Sequence, residues 1–293
     1  MPVRHVLLAL LVVAIWGFNF VIIKLSVDAL PPILAACLRF ACAAVPAVFL
    51  VRPPRVSWWL VVAFGFAFGV GLYAFLNLSM AWGMPAGLSS LVLQTQAFFT
   101  MALAFVLLGE RPSRNQVIGA AIAFGGIGVI ASQRLDGTAL LPLGMTLMAA
   151  LCWGLANVLT KKAGKVDAVA FTVWGALVVP VPLLALSLLV EGPQVVGDAL
   201  SHFDWHDAGL IAFLAYPATL LGMAIWSWLL GRHPASVVAP FTLLVPITGV
   251  LSGALLLGES ITPEEIAGGV LVIAGLVVTL ARARSSESRV RFD

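Results

Sequence analysis

Polar and aromatic side chains inside long apolar stretches are the residues of this sequence whose chemistry needs an explanation. An unsatisfied polar group is costly in hydrocarbon, so such residues mark either a binding cavity or a contact between helices. Amides, hydroxyls and aromatic rings are suited to binding a small molecule rather than to covalent chemistry. The candidates for such a cavity are Trp16, Asn19, Tyr73, Asn77, Gln94, Phe98, Trp153, Asn157, Tyr216 and Thr219.

Helical spacing assigns two glutamines of one stretch to opposite faces. Ser90, Gln94 and Phe98 recur every four residues, so a regular helix places them on one stripe, whereas Gln96 lies on the other side. We expect Gln94 and Phe98 to face the cavity and Gln96 to contact a neighbouring helix.

Two tryptophan and asparagine pairs recur in the two halves of the chain. Trp16 with Asn19 is mirrored by Trp153 with Asn157, and both tryptophans fall near the middle of an apolar stretch. That depth is unsuited to an interfacial aromatic belt and suits a pocket at the bilayer midplane. For any single residue the alternative stays open that it only joins helices.

Arg39 is the one full charge well inside an apolar stretch. It could hold a substrate carboxylate, or it could bind helix groups and extend towards the interface. We expect a gating or structural role.

Composition places the chain in a membrane. The sequence has 293 residues, of which 61% are hydrophobic and 10% charged, with a mean hydropathy of +1.08. A soluble domain has a lower apolar and a higher charged share. Spans of about 20 apolar residues are needed to cross the bilayer. Ten such spans are predicted near 5–26, 32–51, 58–82, 86–108, 114–131, 140–160, 168–190, 207–230, 235–257 and 264–281.

A duplication organises these spans. Pro85-Ala-Gly and Leu107-Leu-Gly-Glu110 recur 149 residues later as Pro234-Ala-Ser and Leu256-Leu-Gly-Glu259. Each copy continues with a capping box, in which a hydroxyl and a side-chain carbonyl satisfy the first amides of a new helix. The boxes are Ser113 with Gln116 and Thr262 with Glu265. We expect Glu110 and Glu259 to be turn and helix-terminus residues.

The distribution of basic residues predicts the topology. With the N-terminus inside, thirteen Lys and Arg fall in inner segments, against Lys24 and Arg134 in outer ones. By the positive-inside rule both termini are cytoplasmic. The predicted fold class is therefore all-α: a polytopic membrane protein of ten transmembrane helices in two five-helix repeats, which are inverted because five is odd. The repeats are residues 1–137 and 138–282, followed by a disordered cytoplasmic tail, 283–293.

Several other chemistries lack their residues. Cys37, Cys42 and Cys152 lie in apolar spans without a zinc spacing. Each Asp and Glu falls in a loop or at a span edge, so no buried carboxylate suits a proton relay. A segment with two histidines four residues apart is interpreted as a hydrated loop rather than a zinc site. Its polar residues are Asp198, His202, Asp204, His206 and Asp207. We expect no metal, no cofactor and no nucleic-acid partner.

A family resemblance is carried by motifs in register across both halves. These are Trp16-Gly-Phe-Asn-Phe20, Leu38-Arg-Phe40, Met84-Pro-Ala-Gly-Leu88, Ser90 to Thr100, Leu107-Leu-Gly-Glu110, Ala239-Pro240 and Leu257-Gly-Glu259. From about residue 5 to 282 the chain resembles the EamA family of the drug/metabolite transporter superfamily, most closely its exporters of cysteine, O-acetylserine and other amino acids. Many family members carry a proline where this chain has Ala97, which follows Gln94 and Gln96. The resemblance implies a central cavity and alternating access.

The predicted function is an inner-membrane exporter of amino acids and related small metabolites, a facilitator or a weakly coupled carrier, with an apolar midplane cavity and the bilayer as its surroundings. The substrate and oligomeric state are not specified. The alternatives are an intramembrane lipid-modifying enzyme, which would need a nucleophile with a base or a metal motif, a channel, which would need a ring of like groups, and a multidrug or other-metabolite transporter of the same superfamily.

Overall fold

The computed structural model describes residues 1–132, 140–164, 166–260 and 262–280, and their regular elements are all helices. We label ten of them α1 to α10 in chain order. Their bounds are α1 Val3–Ala29, α2 Pro32–Val48, α3 Trp58–Ala81, α4 Ala86–Leu108, α5 Arg114–Ser132, α6 Leu140–Ala163, α7 Ala168–Val190, α8 Trp205–Leu230, α9 Ala235–Val238 continued by Ala239–Leu257, and α10 Pro263–Leu280.

Eight of these helices are long and apolar enough to cross a membrane, namely α1 and α3 to α9. Helix α2 is a shorter apolar helix of 17 residues, and α10 has 18 residues with two glutamates in its first turn. Ten spans therefore remain a prediction for these two helices. Arg134, Lys165, the arginines after Leu280, the predicted repeat boundary and the tail 283–293 lie outside the described residues.

The predicted helix starts and turns are confirmed. In the first box the Ser113 amide donates to Gln116 Oε1 at 2.7 Å, and in the second the Glu265 amide donates to Thr262 Oγ1 at 3.2 Å. Gly109 and Gly258, the glycines of the two Leu-Gly-Glu turns, end α4 and α9 with φ of 71° and 64°. Only glycine adopts this left-handed cap without strain.

One expectation was wrong in detail. The segment interpreted as a hydrated loop contains a short helix, Pro193–Ser201, with Pro193 at its first position. Within this helix Val196 is buried, while most of the other side chains of the helix are exposed. A single buried valine in nine residues is too weak a periodicity to predict a helix.

Irregular helical turns interrupt both halves at matching places. Residues Gly65–Gly71 of α3 and Leu214–Leu221 of α8 form wide π-helical turns, and the first residues of these segments are 149 positions apart. Leu93–Thr95 of α4 and Ala239–Leu244 of α9 form tight 3₁₀ turns. In α8 Pro217 lacks an amide proton and cannot continue the regular ladder. Such turns free carbonyl groups in the middle of a helix.

Two helix pairs form the sides of the bundle. Helices α5 and α10 pack backbone to backbone, since a Cβ on Gly126 would lie 2.5 Å from the Gly268 carbonyl oxygen. Helix α2 packs along both segments of α7, which breaks before Pro180. Small residues permit this approach, and dispersion then holds the helices together where lipid offers no hydrophobic drive.

Glu191 fastens α2 to the end of α7. Its carboxylate accepts from the amides of Ile33 at 2.6 Å and Leu34 at 3.2 Å, and also from the Ser187 hydroxyl at 2.5 Å. Pro31 and Pro32 cannot cap the start of α2 themselves, so a residue distant in sequence satisfies its free amides.

We expect Glu191→Ala to lower the stability of the folded protein by about 1–2 kcal/mol, because an acidic cap of a helix N-terminus is lost. The midpoint of thermal unfolding in detergent measures this. Asp198→Ala, which removes an exposed carboxylate of the neighbouring short helix, should leave the midpoint unchanged. Equal midpoints for the two variants would contradict a stabilising role of the Glu191 cap on α2.

Candidate functional site

Arg39 is buried between α2, α3 and α8. Its side chain is 3% exposed, and its Nε and Nη2 donate to Thr219 Oγ1 at 3.1 and 3.0 Å. The Thr219 hydroxyl in turn donates to the Leu214 carbonyl at 2.8 Å, across the wide turn of α8. Within the described residues no carboxylate pairs with Arg39, and its Nη1 is buried without a hydrogen-bond partner.

Aromatic rings continue from the guanidinium towards α6. The Arg39 Cζ lies 4.3 Å from the ring centroid of Tyr73, and such contacts stabilise a desolvated cation. Tyr73 contacts Phe68 at 5.9 Å between centroids, and Phe68 contacts Trp153 at 6.4 Å. Four side chains from α2, α3 and α6 therefore form one continuous network.

Trp16 joins α1 to the same wide turn of α8. Its indole Nε1 donates to the Ala218 carbonyl at 3.0 Å, and its ring lies 5.4 Å from that of Trp226. Gly222 gives the indole room, since a Cβ there would be 2.6 Å from Nε1. Trp16 and Trp153 are thus equivalent in sequence and in placement, because each packs on or beside the interrupted helix of its neighbour.

Asn157 makes a separate amide cluster between α6 and α4. Its Nδ2 donates to Gln96 Oε1 at 2.7 Å and to Thr100 Oγ1 at 3.1 Å. Gln96 therefore contacts a neighbouring helix, as its helical face predicted. Because Asn157 is satisfied by this contact, the structure gives it a helix-joining environment.

The remaining candidates lie apart from the network. Phe98 is 2% exposed and packs with Ala123 of α5 and Leu276 of α10. The 3₁₀ turn at Leu93–Thr95 advances the chain by about 120° per residue instead of about 100°, so the stripe from Ser90 through Gln94 to Phe98 is not continuous. The side-chain amide of Gln94 makes no hydrogen bond within the described residues.

Tyr216, Asn77 and Asn19 have three different environments. Tyr216 is 45% exposed in a shallow apolar groove of about 420 Å³ along one face of α8. The Asn77 amide donates to the Pro32 carbonyl at 2.9 Å, and its Oδ1 is buried without a partner among the described residues. Asn19 is 8% exposed, and its Oδ1 likewise has no partner in the part of the chain that the structure describes.

Among the described residues, helices α4 and α9 pack most closely at one end. The start of α4 packs on the end of α9, where a Cβ on Gly249 would lie 2.5 Å from Ser90 Oγ. There the Glu259 carboxylate accepts from the amides of Ala86 at 2.6 Å and Gly87 at 2.9 Å. The other ends show no comparable packing within the described residues, because the end of α4 packs on α6 and the start of α9 lies against α1 and α8.

Comparisons with known proteins agree on the family. A family model described as the EamA-like transporter family matches residues 3–132 and 140–281. The chain belongs to this family. It is 43% identical over 279 residues to a Salmonella typhimurium protein named "Probable amino-acid metabolite efflux pump", and 39% identical over 279 residues to an Escherichia coli protein of the same name. Each match covers 93% of both chains. A crystal structure at 17% identity has a TM-score of 0.63 over 98% of this chain and 100% of its own, so the fold is shared.

Membership of the EamA-like family makes this chain a multi-pass transporter of the bacterial inner membrane and favours transport over enzymatic activity.

The sequence did not predict that Glu259 and Glu191 bind the first amides of helices in the other half of the chain. The signal for Glu259 was the repetition of Pro-Ala and Leu-Gly-Glu at one offset. No comparable signal marks Glu191.

A cluster of acidic and histidine side chains lies at the start of α8, apart from the network that contains Arg39. Ligand atoms of Asp204, His206 and Asp207 lie within 4.8 Å of one another, and Asp204 caps α8 through the amides of His206 and Asp207. The carboxylate of Asp204 therefore has a structural task at the start of the helix.

Proposed function

We propose that this EamA-like transporter exports amino acids and related small metabolites by alternating access between two inverted halves of five helices, with both termini in the cytoplasm. Export of amino-acid metabolites is the function that the names of the Salmonella and Escherichia relatives give. The halves are residues 1–137 and 138–282. The observation that carries the proposal is the one-ended contact between α4 and α9.

The packing of the two halves supports an inverted repeat. A Cβ on Gly17 of α1 would overlap Thr248 and Gly249 of α9, while a Cβ on Gly154 of α6 would overlap Phe99 and Thr100 of α4. These two contacts are related by the offsets of 137 and 149 residues that relate the sequences. Against this background, the contact between the start of α4 and the end of α9 has no counterpart within the part of the chain that the structure describes. A symmetric sequence in an asymmetric arrangement is expected when the halves exchange roles.

The polarity of the network favours a small zwitterion with an apolar side chain. Trp16, Tyr73, Trp153 and Thr219 surround the wide turns of α3 and α8 with aromatic rings and two hydroxyls. The described residues at these turns include no cluster of the cations that phosphates require. We assign Arg39 the gating role, since it joins α2 to α8. Asn19, Asn77, Gln94, Phe98, Asn157 and Tyr216 remain predicted contacts of an opened cavity.

The placement of acids supports a facilitator or a weakly coupled carrier. Among the described residues, Glu110, Glu191 and Glu259 lie just beyond helix ends, and no carboxylate lies in the middle of a span. Measured proton uptake in strict proportion to substrate counterflow would contradict weak coupling.

Counterflow in proteoliposomes tests the function directly. We expect preloaded neutral or aromatic amino acids to drive saturable uptake of a labelled amino acid, and the decarboxylated amines to drive less. Turnover of a lipid without counterflow would favour the alternative of an intramembrane lipid-modifying enzyme. Equal counterflow with unrelated cationic drugs would favour a multidrug transporter of the same superfamily.

A further inference from the structure

We propose that Glu259 and Glu110 are positioning residues for transport, each of which holds one of the two alternative closed ends by capping the first turn of the facing helix. Glu259 closes the end seen here by binding α4. Glu110 closes the opposite end in the other conformation by binding the start of α9. This inference rests on the alternating access proposed above. We call the contact of Glu259 with the start of α4 the Glu259 latch, and the equivalent contact of Glu110 with the start of α9 the Glu110 latch.

The Glu259 latch is fully formed. Both carboxylate oxygens are used, Oε1 by the Ala86 amide and Oε2 by the Gly87 amide. Hydrogen bonds from amides to a carboxylate are charge-assisted, and the helix N-terminus adds a favourable field. Gly253 and Gly87 provide the space, because a Cβ on Gly253 would overlap Oε2 and a Cβ on Gly87 would lie 3.3 Å from it.

Glu110 has the equivalent sequence position and a different partner. Subtracting 149 from 259 gives 110, and adding 149 to the numbers of Ala86 and Gly87 gives Ala235 and Ser236, the first residues of α9. The repeat that makes the Glu259 latch therefore encodes a second latch between Glu110 and α9. In this structure Glu110 is 44% exposed and pairs with Lys161 at 2.6 Å.

The two latches are unequal in sequence. The first half carries Ala104 where the second carries Gly253. The Ala104 methyl group therefore takes up the space that the Glu110 carboxylate would need in the equivalent contact. The Glu110 latch is therefore the weaker one, and the conformation with Glu259 engaged is the resting one. In the proposed topology this conformation is closed to the outside, as an exporter that loads from the cytoplasm requires.

Cysteine accessibility tests the pair of latches. Cys37, Cys42 and Cys152 are replaced by alanine, and the substitution Ser90→Cys reports opening of the latched end. Ser90 is fully buried against Gly249 of α9, and its hydroxyl donates to the carbonyl of Gly87, whose amide binds Glu259. The rate of labelling by a membrane-impermeant maleimide is measured in intact cells and in inverted vesicles. The substitution Ala123→Cys reports general unfolding in a parallel background, because Ala123 is fully buried between α5 and α10.

Glu259→Gln should raise the labelling rate at position 90 on the order of tenfold, as the population shifts towards the opened end. Gly253→Ala should do the same, since it displaces the carboxylate without removing its charge. Glu110→Gln should leave the rate unchanged or lower it, because it weakens only the opposite closed state. This opposite direction is a result that a merely structural role of the two glutamates would not produce.

Unchanged labelling at position 90 in both Glu259→Gln and Gly253→Ala, or an equal rise in Glu110→Gln, would overturn the latches. Glu264→Gln, which neutralises an exposed acid in the first turn of α10, should have no effect. If the labelling rate at position 123 rises in either Glu259→Gln or Gly253→Ala, that variant is partly unfolded. The labelling rate at position 90 in the other variant then tests the inference. Counterflow by the unmodified protein is measured in parallel: if it is present without any latch effect, the inference alone fails, and if it is absent, the proposed function fails.

Discussion

Arg39→Gln is expected to abolish most export while leaving the protein folded. The substitution removes two hydrogen bonds to Thr219 and the contact with Tyr73, which together join α2, α3 and α8. Coupling between such elements is typically worth roughly a 5- to 150-fold effect, so we expect the export rate to fall by about tenfold or more. Folding should survive because Thr219 keeps its acceptor at Leu214, and because the neutral glutamine avoids the cost of burying a charge that no carboxylate pairs with among the described residues.

Counterflow rate and thermal midpoint, measured on the same preparation, check this prediction. Lys24→Gln is the matched control, because Lys24 is a partly exposed cation paired only with Asp28 on its own helix among the described residues. A variant Arg39→Gln with wild-type export would remove both roles considered for this arginine. A raised KM for amino acids with an unchanged maximal rate would instead assign Arg39 to the substrate carboxylate.

The helices and their ends could be predicted because membrane physics makes them local properties. Span length, the two capping boxes and the Leu-Gly-Glu turns depend on residues within one segment of sequence, and the structure confirms the boxes and turns. The short helix Pro193–Ser201 was missed because it is held by one buried valine rather than by a periodic apolar face.

The site could be predicted less well because irregular turns change which residues share a face. Extrapolating a regular helix through Leu93–Thr95 groups Gln94 with Phe98, whereas Phe98 packs against α5 and α10. The internal repeat was more informative, since Trp16 and Trp153 occupy matching places beside interrupted helices. The Glu259 cap depends on a partner 173 residues away in sequence, which no local pattern contains.

Gly126→Leu is expected to prevent assembly of the folded protein, whereas Gly125→Leu should be tolerated. Gly125, Gly126 and Gly128 are close together in the sequence, but their surroundings in the structure differ. A Cβ on Gly126 would lie 2.5 Å from the Gly268 carbonyl oxygen and 2.8 Å from the Leu271 Cβ, while a Cβ on Gly125 would meet no atom within 4 Å among the described residues. Backbone cannot yield as a flexible side chain can, so α5 and α10 must separate.

Separation forfeits the contact along the whole helix pair, and overpacking alone costs about 1–3 kcal/mol, with a leucine at the upper end or beyond. We therefore expect Gly126→Leu to lose the monodisperse peak in detergent size-exclusion chromatography. Gly125→Leu should keep that peak and its thermal midpoint, since removing a glycine from a helix gains up to about 1 kcal/mol in helix propensity. Because the two substitutions add the same side chain to adjacent residues of one helix, a difference between them isolates the α5–α10 contact from hydrophobicity and from insertion. If both variants lost the monodisperse peak equally, α5 would tolerate no added volume on either face. That result would contradict the assignment of the effect to the close approach of Gly126 to Gly268.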